Sequence, residues 1–350
     1  MKQYRIAAIP ADGIGPEVID AGLQVLEALE KRSGDFRLNV EHFDWGSDYY
    51  KKNGRMMPDD GLAQLKAFDA IFFGAVGAPD VPDHITLWGL RLPICQGFDQ
   101  YANVRPARVL PGITSPLAKG KDIDWVVVRE NTEGEYAGMG GRAHRGLPIE
   151  TATDVSVYTR VGVERIQRFA FELARKRPRK KLTLVTKSNA QRHGMVMWDE
   201  IFFALAADYP DVQWDRELVD AMTTRMVLKP RTIDVMVCSN LHADILSDLA
   251  AALSGSLGIA PTANLNPGRE FPSMFEPIHG SAFDIAGKGV ANPIATFWTA
   301  AMMLEHLGEE KASGRLMKAI EKTTAKGVLT PDLGGKAKTR DVTKAVIDLL

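Results

Sequence analysis

Residues 4–16 read YRIAAIPADGIGP, a short apolar run that passes through a glycine-containing turn into a proline-led segment. The run from Tyr4 to Ile9 predicts a β-strand, and Gly15-Pro16 predicts the start of a helix, because proline is favoured in a first helical turn. Longer segments with apolar residues at helical spacing, such as Val163 to Leu173, follow along the chain. Further runs rich in β-branched or aromatic residues occupy residues 70–74, 125–128, 182–186 and 234–239. This alternation of strands and helices predicts an α/β fold.

Length and composition limit the class of protein. The chain has 350 residues, of which 45% are hydrophobic and 25% charged, as is typical of a globular protein large enough for two domains. Its formal net charge of -1 gives no overall field that would attract nucleic acid or a membrane surface. We therefore expect small-molecule chemistry, with neither nucleic acid nor a membrane as partner.

No segment predicts a signal peptide or a membrane span. The apolar run after Arg5 breaks at Pro10, and no run approaches the roughly 20 apolar residues that cross a bilayer. The longest candidate, Ile294 to Leu304, predicts a buried helix. Cys95 and Cys238 lie far apart, and we expect both to be reduced, as in a cytoplasmic protein.

Six basic residues crowd the run from Arg175 to Lys181, around Pro178. Such a run could bind a polyanion, and the chain would then be a non-catalytic binding protein. Pro178 ends a helix, however, and a solvated turn between helix and strand explains the same charges. We favour the solvated turn; salt-sensitive nucleic-acid binding would favour the alternative.

Residues 240–249, NLHADILSDL, directly follow the predicted strand that ends near Ser239. On a helix, Asp244 and Asp248 lie one turn apart on one face. That face adjoins an apolar stripe that we expect to point inward, formed by Leu241, Ile245, Leu249 and Ala252. Two partly buried carboxylates repel one another unless a cation or an arginine compensates them. Carboxylate oxygens suit Mg²⁺ or Mn²⁺, so a metal site is one interpretation; pairing with basic side chains is an equal alternative.

Other polar clusters occur where strands are predicted to end, which is where α/β proteins commonly bind ligands. These clusters are Asn103–Pro106, Arg129–Tyr136 and Thr186–Asn189. Their arginines could hold carboxylates through paired hydrogen bonds, and Tyr136 or Lys187 could move protons. Taken singly, each is more typical of a surface ion pair or a buried phenol. The turn at residues 11–16 lacks the G-x-G-x-x-G spacing of a dinucleotide fingerprint and does not by itself indicate a cofactor.

Taken in this order, the segments resemble the family of isopropylmalate, isocitrate, tartrate and D-malate dehydrogenases over nearly the whole chain. The motifs that carry the resemblance are DGIGPE (12–17), NVRP (103–106), RENTEG (129–134), DILSD (244–248) and EPIHGS (276–281). Shorter segments are similar to the tartrate and D-malate branch, namely MMPDD (56–60), VPDH (81–84), LWG (87–89) and FDQY (98–101).

The resemblance implies two α/β domains in an isopropylmalate-dehydrogenase-like fold, which is not the usual Rossmann arrangement. Residues 1–101 and 256–350 would form a discontinuous domain on the cofactor side. Residues 102–255 would form a middle domain that carries metal ligands and the dimer interface. A homodimer with active sites shared between subunits is expected.

The resemblance also implies roles for single residues. Asp244 and Asp248 would bind Mg²⁺ or Mn²⁺ together with Asp220 of the partner subunit. Arg105 and Arg129 would bind the substrate carboxylate, while Tyr136 would act as general acid and Lys187 of the partner subunit would assist deprotonation of the hydroxyl. NAD would be bound by Glu276, His279, Gly280, Ser281, Ala282, Asp284, Ile285 and Asn292.

The segments implied to lie near the cofactor contain one residue that bears on cofactor choice and two that depart from the family pattern. Asp284 would accept hydrogen bonds from ribose hydroxyls and repel the 2′-phosphate of NADP. Phe283 stands where proline is usual. Ala11 stands where glycine is common, and its effect should be small if Ala11 needs no positive φ.

The implied activity is NAD-dependent oxidation of tartrate and oxidative decarboxylation of D-malate, together with decarboxylation of meso-tartrate. The alternative is 3-isopropylmalate dehydrogenase.

The family's first substrate arginine commonly lies ten residues before Arg105, where this chain has Cys95. Arg91 lies one helical turn earlier, if a helix continues through Pro93, at a position that is commonly apolar in isopropylmalate enzymes. We predict that Arg91 contacts the tartrate or malate carboxylate or hydroxyl; the alternative is that Arg91 faces solvent.

Overall fold

The structure is a computed structural model that describes residues 1–118 and 123–350. The chain divides into two compact units. Unit 1 comprises Met1–Gln100, Arg108–Lys121 and Ala251–Leu350, and unit 2 comprises Tyr101–Ala107 and Asp122–Ala250. The sequence assigns the segment that begins at Arg108 to the middle domain, whereas the structure includes it in unit 1. Side-chain contacts explain the difference, because Arg108 donates to Glu321 at 2.5 Å and Ser115 to the Leu253 carbonyl at 2.6 Å.

Strands and helices alternate along most of the chain. The strands are β1 (Lys2–Ala11), β2 (Phe36–His42), β3 (Ala70–Ala75), β4 (Ala102–Arg108), β5 (Asp124–Glu130), β6 (Gly134–Ala143), β7 (Thr151–Val157), β8 (Lys181–Thr186), β9 (Gln213–Leu218), β10 (Val235–Cys238), β11 (Pro261–Leu265) and β12 (Ser273–Pro277). The helices are α1 (Gly15–Ser33), α2 (Ser47–Asn53), α3 (Gly61–Leu65), α4 (Asp83–Thr86), α5 (Leu92–Gly97), α6 (Arg160–Lys176), α7 (Gly194–Ala206), α8 (Val219–Leu228), α9 (Asn240–Ser254), α10 (Ile294–His306), α11 (Glu310–Ala325) and α12 (Thr339–Leu349). A π-helical turn, Leu87–Arg91, lies between α4 and α5.

In unit 1 the strand order is β2-β1-β3-β12-β11. The first four strands are parallel and β11 is antiparallel to β12. Every residue of β3 is buried, which is why the sequence AIFFGA is uniformly small or apolar instead of alternating with polar residues. All residues of α10 from Ile294 to Ala301 are buried, so the predicted buried helix is confirmed.

In unit 2 the strand order is β4-β5-β10-β8-β9, with β10 parallel to both β5 and β8 and β9 parallel to β8. Two large aromatic residues, Trp125 and Trp198, are fully buried in its core. β6 and β7 form a separate antiparallel ribbon that leaves Met139 and Val155 exposed.

The five predicted strands, the start of the first helix and the predicted helical pattern are confirmed. The five predicted strands fall on β1, β3, β5, β8 and β10, Gly15 and Pro16 begin α1, and the pattern from Val163 to Leu173 lies within α6. Cys95 and Cys238 are both buried, and they form no disulfide with each other. Among the helices within the described ranges, none is long and apolar enough to span a membrane.

Candidate functional site

A carboxylate of α9 lies between two arginines and a phenol, all in unit 2. Arg105 on β4 donates from Nη1 to Asp244 Oδ1 at 3.3 Å, and Arg129 at the end of β5 forms an ion pair with the same oxygen. The Tyr136 hydroxyl donates to Asp244 Oδ2 at 3.1 Å. Four residues that the sequence assigns to one active site therefore meet at one carboxylate.

Buried polar side chains orient both guanidinium groups. Asn240 Oδ1 accepts from Nε and Nη2 of Arg129 at 2.9 and 2.6 Å. Arg105 donates from Nε to Asn103 at 2.8 Å and from Nη1 to Ser247 at 2.7 Å. The sequence analysis assigned no role to Asn103, Asn240 or Ser247. The signal was present for Asn103, because residues two apart on a strand share a face.

The prediction that Asn103–Pro106 follows the end of a strand is wrong. The segment lies inside β4, where Asn103 and Arg105 are both buried. Each polar side chain satisfies part of the hydrogen bonding of the other, which makes their burial possible.

The buried face of α9 also differs from the prediction. Leu241 and Ile245, expected to point inward, are 38% and 54% exposed. Leu249 is half-buried and Ala252 exposed. The buried residues of α9 instead include His242, Ala243, Leu246, Ser247 and Ala250. The helix is apolar on more than one side, so periodicity alone does not choose its inner face, whereas the contacts of Asp244 with two arginines do.

Asp248 provides a second carboxylate one turn after Asp244. Burial raises the pKa of Asp248; the Arg105 charge opposes that rise and the Asp244 charge adds to it. A carboxylate in these surroundings is stabilised by a cation, and oxygen ligands suit Mg²⁺ or Mn²⁺. Within the described residues, no group of three His, Cys, Asp or Glu side chains could hold a metal. The aspartates of α9 therefore fit a divalent cation as part of a ligand set, not as a complete one.

Asp220 and Lys187, which the sequence assigns to the partner subunit, form an ion pair within one protomer. Lys187 follows β8 directly and donates from Nζ to Asp220 Oδ1 at 2.6 Å. The hydrogen bond from Lys187 lowers the pKa of Asp220. Asp220 lies at the start of α8 and its side chain is 67% exposed. The structure thus keeps these two predicted residues together and presents the aspartate to solvent.

The turn between Arg129 and Tyr136 is closed by the buried side chain of Glu130. Its carboxylate accepts from the Thr132 amide at 3.0 Å, the Thr132 hydroxyl at 2.9 Å and the Glu133 amide at 2.9 Å. Burial raises the pKa of Glu130 to about 7, although these hydrogen bonds favour the charged form. The sequence offers no signal for the role of Glu130, because its carboxylate accepts hydrogen bonds from residues of its own turn and so belongs to no periodic pattern.

Glu135 fixes the backbone next to Tyr136. It accepts from the Tyr158 hydroxyl at 2.8 Å, the Ser239 hydroxyl at 3.0 Å and the Leu241 amide at 3.0 Å. Burial by itself raises the pKa of Glu135, but the hydrogen bonds outweigh it and lower the pKa overall. Glu135 therefore ties β6 to the start of α9, the helix that carries Asp244.

In unit 1, the turn after β1 lies against the segment after β12. Gly13 has a φ of +60°, and a Cβ atom there would lie 1.9 Å from the Ser281 carbonyl oxygen. The Ile14 amide donates to that same oxygen at 2.8 Å. Ala11 has a φ of +54°, so the condition under which its effect was expected to be small is not met. Ala11 carries the steric strain that glycine would avoid.

His279 presents a buried nitrogen without a partner. Its Nδ1 lies 2.9 Å from the Gly280 carbonyl oxygen, which places the proton on Nδ1 and leaves Nε2 as an acceptor. Nε2 is buried and has no hydrogen-bond partner in the part of the chain that the structure describes. Burial lowers the pKa of His279. An apolar cluster within the same unit contains Ile14, Val18, Ala291, Ala282 and Ile285.

The remaining residues of the predicted cofactor site fall into two groups. Gly280 and Asp284 are exposed, as is Phe283, the residue that stands where proline is usual. Asn292 is buried, donates to Asp332 at 3.0 Å and accepts from the Ile294 amide at 3.0 Å, so both ends of its amide bind protein. An exposed carboxylate, an orphaned buried acceptor and nearby apolar side chains fit the ribose and base of a nucleotide.

The helix does continue past Pro93, and Arg91 does not face solvent. Arg91 is 8% exposed, and its Nε donates to Glu276 Oε1 at 2.8 Å. Cys95, at the position of the missing arginine, is fully buried in the hydrophobic cluster that contains Leu90 and Phe98. The solvent-facing alternative for Arg91 is therefore wrong.

The basic run after α6 is compensated by acidic residues of unit 2. The helix ends at Lys176, before Pro178. Ion pairs with Asp124, Asp211, Asp215 and Asp234 involve Arg175, Arg177, Arg179, Lys180 and Lys181. These pairs are what a solvated turn requires, and they disfavour the polyanion-binding alternative.

Comparison with known proteins identifies close similarities over the whole chain. A family model described as isocitrate/isopropylmalate dehydrogenase matches residues 5–346. A probable tartrate dehydrogenase/decarboxylase of Agrobacterium vitis is 73% identical over 352 residues, which cover 100% of this chain and 97% of that protein. The D-malate dehydrogenase (decarboxylating) of Escherichia coli K12 is 53% identical over 360 residues, covering 100% of this chain and 99% of that protein. The crystal structure of an isocitrate dehydrogenase from Methylococcus capsulatus matches with a TM-score of 0.89 at 38% identity, covering 99% of this chain and 98% of that one. The predicted fold is confirmed.

Proposed function

This chain is a member of the isocitrate/isopropylmalate dehydrogenase family, and we propose that it oxidises tartrate and oxidatively decarboxylates D-malate, with NAD as hydride acceptor and Mg²⁺ or Mn²⁺ as metal. Decarboxylation of meso-tartrate belongs to the same proposal. The observation that carries it is the convergence of Arg105, Arg129 and Tyr136 on Asp244. The names of the tartrate and D-malate enzymes among its relatives support this choice of substrates.

Arg105 and Arg129 would bind a substrate carboxylate. Both guanidinium groups are buried and already oriented by protein acceptors, so little conformational entropy is lost when a ligand binds. A planar guanidinium matches a carboxylate with two parallel hydrogen bonds. The pair therefore favours an acid as substrate over a neutral alcohol.

Asp244 and Asp248 would hold the divalent cation together with Asp220 of the partner subunit. When bound, the cation supplies Lewis-acid polarisation of the substrate oxygens that gain negative charge. Two observations support a homodimer with shared sites. The described part of one protomer contains no complete ligand cluster, and the apolar side chains of Leu241 and Ile245 are exposed on the helix that carries both aspartates.

Two side chains would move protons. Lys187 of the partner subunit would take the proton of the C2 hydroxyl as the C2 hydride passes to NAD. For D-malate, the carboxylate on the neighbouring carbon would then leave as CO₂, and its bonding electrons would remain on that carbon. Tyr136 would donate a proton to that carbon, since its hydroxyl is held beside the carboxylate of Asp244.

NAD would be bound by unit 1, through His279, Gly280, Ser281, Ala282, Asp284 and Ile285, with Glu276 and Asn292 adjoining them. His279 Nε2 offers an acceptor for the amino group of adenine, and the apolar cluster offers a surface for its ring. Asp284 would accept from ribose hydroxyls and repel a 2′-phosphate.

A substrate panel followed by NADH absorbance and CO₂ release tests the proposal. We expect turnover of tartrate and D-malate, loss of activity after exhaustive chelation, and recovery with Mn²⁺ or Mg²⁺. Higher kcat/KM for 3-isopropylmalate would instead assign the alternative activity. Full activity after chelation would remove the metal from the proposal.

A further inference from the structure

The guanidinium of Arg91 takes part in a buried polar cluster of unit 1 that contains Glu276 and Asn264. Arg91 Nε and Nη2 lie 2.8 and 2.7 Å from Glu276 Oε1, and Nη2 donates to Asn264 Oδ1 at 3.3 Å. Asn264 Nδ2 in turn donates to Glu276 Oε1 at 2.8 Å. Arg91 and Glu276 are both less than a tenth exposed, and Asn264 is fully buried. A charged pair buried to this extent persists only when it is hydrogen-bonded.

The local geometry of the helix accounts for the inward position of Arg91. Residues Leu87–Arg91 form a π-helical turn in which the Leu92 amide donates to the Leu87 carbonyl, five residues earlier. Pro93 has no amide hydrogen and its ring requires space against the preceding turn, which a wider turn provides. The same chain segment therefore continues as a helix and keeps Arg91 on the buried side.

Glu276 lies where β12 leads into the proposed cofactor segment. Its backbone carbonyl accepts from the Thr299 hydroxyl of α10 at 3.1 Å, and its side chain accepts from Arg91 and Asn264. Pro277, Ile278 and His279 follow directly. The side chain of Arg91 thus helps to fix the residue from which the cofactor segment starts.

We infer that Arg91 is a positioning residue that acts on cofactor affinity by holding Glu276, and that it does not select the substrate acid by contact. The inference rests on the proposed function for the identity of the cofactor. Without Arg91, the Glu276 carboxylate is a buried charge with its cation removed, and the start of the cofactor segment loses its fixed geometry. The effect should therefore appear in NADH binding before it appears in recognition of the acid.

The test uses Arg91→Met, Arg91→Lys, Glu276→Gln and the double variant Arg91→Met/Glu276→Gln in the full-length protein. The control is Arg55→Met, which removes an exposed arginine paired with Asp59. NADH affinity by fluorescence, KM for D-malate at saturating NAD, and the thermal midpoint are measured for each protein. Arg91→Met should weaken NADH binding about tenfold or more while KM for D-malate changes by less than about threefold. Arg91→Lys keeps the positive charge but loses the planar guanidinium that makes several directed hydrogen bonds. Its NADH affinity should therefore lie between those of the natural chain and Arg91→Met.

The double variant separates positioning from a substrate contact. Removing the Glu276 charge should recover part of the thermal midpoint that Arg91→Met loses, because no buried carboxylate is then left unpaired. A rise of about tenfold in KM for D-malate with unchanged NADH affinity would overturn the inference in favour of substrate contact. Additive thermal losses, or unchanged NADH affinity in every variant, would overturn it as well.

If the natural chain binds NADH yet oxidises no hydroxy acid, the proposed function fails, whereas the Arg91 result is still decided by NADH affinity and stability. If Arg91→Met does not fold, the NADH affinity and thermal midpoint of Arg91→Lys and of the double variant test the inference instead.

Discussion

Replacing Glu130 with Gln should change how the stability of the chain depends on pH. The Glu130 side chain is buried and accepts from the Thr132 and Glu133 amides and from the Thr132 hydroxyl. Glutamine preserves its size and one acceptor oxygen but cannot ionise. The variant therefore removes the cost of burying a charge but replaces one acceptor oxygen with an amide donor, because Oε1 and Oε2 both accept hydrogen bonds in the natural chain. That loss of an acceptor does not depend on pH, whereas the effect of the charge does.

The magnitude follows from the pKa of Glu130, which burial raises from 4.5 to about 7. Because the folded-state pKa lies above the unfolded value, the folded chain holds a proton that the unfolded chain has lost between these two pH values. Stability therefore falls as pH rises, by about 3 kcal/mol in full, and the loss is complete above pH 7. About 2 kcal/mol of this loss in folding stability occurs between roughly pH 5.5 and 8.5.

Thermal midpoints of the natural chain and Glu130→Gln at these two pH values measure the effect, at one protein concentration so that association is constant. The variant should gain roughly 3 °C relative to the natural chain on going to the higher pH. Glu164→Gln is the matched control, because Glu164 is a half-buried glutamate on α6 that pairs with Arg168. The reasoning would be refuted if the difference in thermal midpoint between the natural chain and Glu130→Gln stayed constant with pH, or if it changed in the opposite direction.

Three further predictions concern the cofactor region and the shared site. Gly13→Ala should raise KM for NAD about tenfold or more, because its Cβ would lie 1.9 Å from the Ser281 carbonyl oxygen; Gly314→Ala, in open space on α11, should leave KM unchanged. The natural chain should have a higher kcat/KM with NAD than with NADP if the exposed carboxylate of Asp284 repels a 2′-phosphate as proposed, and equal values would contradict that role. Lys187→Ala mixed with Asp248→Ala should regain activity in verified heterodimers, because both lesions then fall in the same one of the two shared sites and leave the other site intact; no recovery would place Lys187 in its own protomer's site.

The sequence predicts local structure better than it predicts contacts between distant segments. β3 and β10 are recognisable because strands buried on both faces are continuous apolar runs. The ion pair between Arg129 and Asp244 depends on β5 lying beside β10, an arrangement that no local periodicity contains. Family resemblance supplied that information.

Errors in the local predictions have identifiable causes. The inner face of α9 was misassigned because Leu241 and Ile245 are apolar yet exposed in the protomer. The effect of Ala11 is predicted to be small only if its φ is not positive, and its positive φ shows that side-chain type does not reveal backbone conformation. For Arg91 the sequence leaves substrate contact and solvent exposure as alternatives, and the pairing of Arg91 with the buried Glu276 excludes solvent exposure.

Charge balance around Asp244 predicts that metal and dicarboxylate bind cooperatively. Arg105 and Arg129 carry two positive charges, and Asp244 and Asp248 carry two negative charges when ionised, so this group of side chains is already neutral. A divalent cation alone, or a dicarboxylate alone, leaves two unbalanced charges beside the buried guanidinium groups of Arg105 and Arg129, whereas the two together restore neutrality. Mn²⁺ affinity, followed by calorimetry, should therefore rise by about tenfold or more with saturating D-tartrate, and by less with the monocarboxylate D-lactate, which restores only one charge. Because the coupling is reciprocal, tartrate affinity must rise by the same factor when Mn²⁺ is present. Equal Mn²⁺ affinity with tartrate, lactate or neither would show that the arginines, and not the cation, compensate the substrate charge.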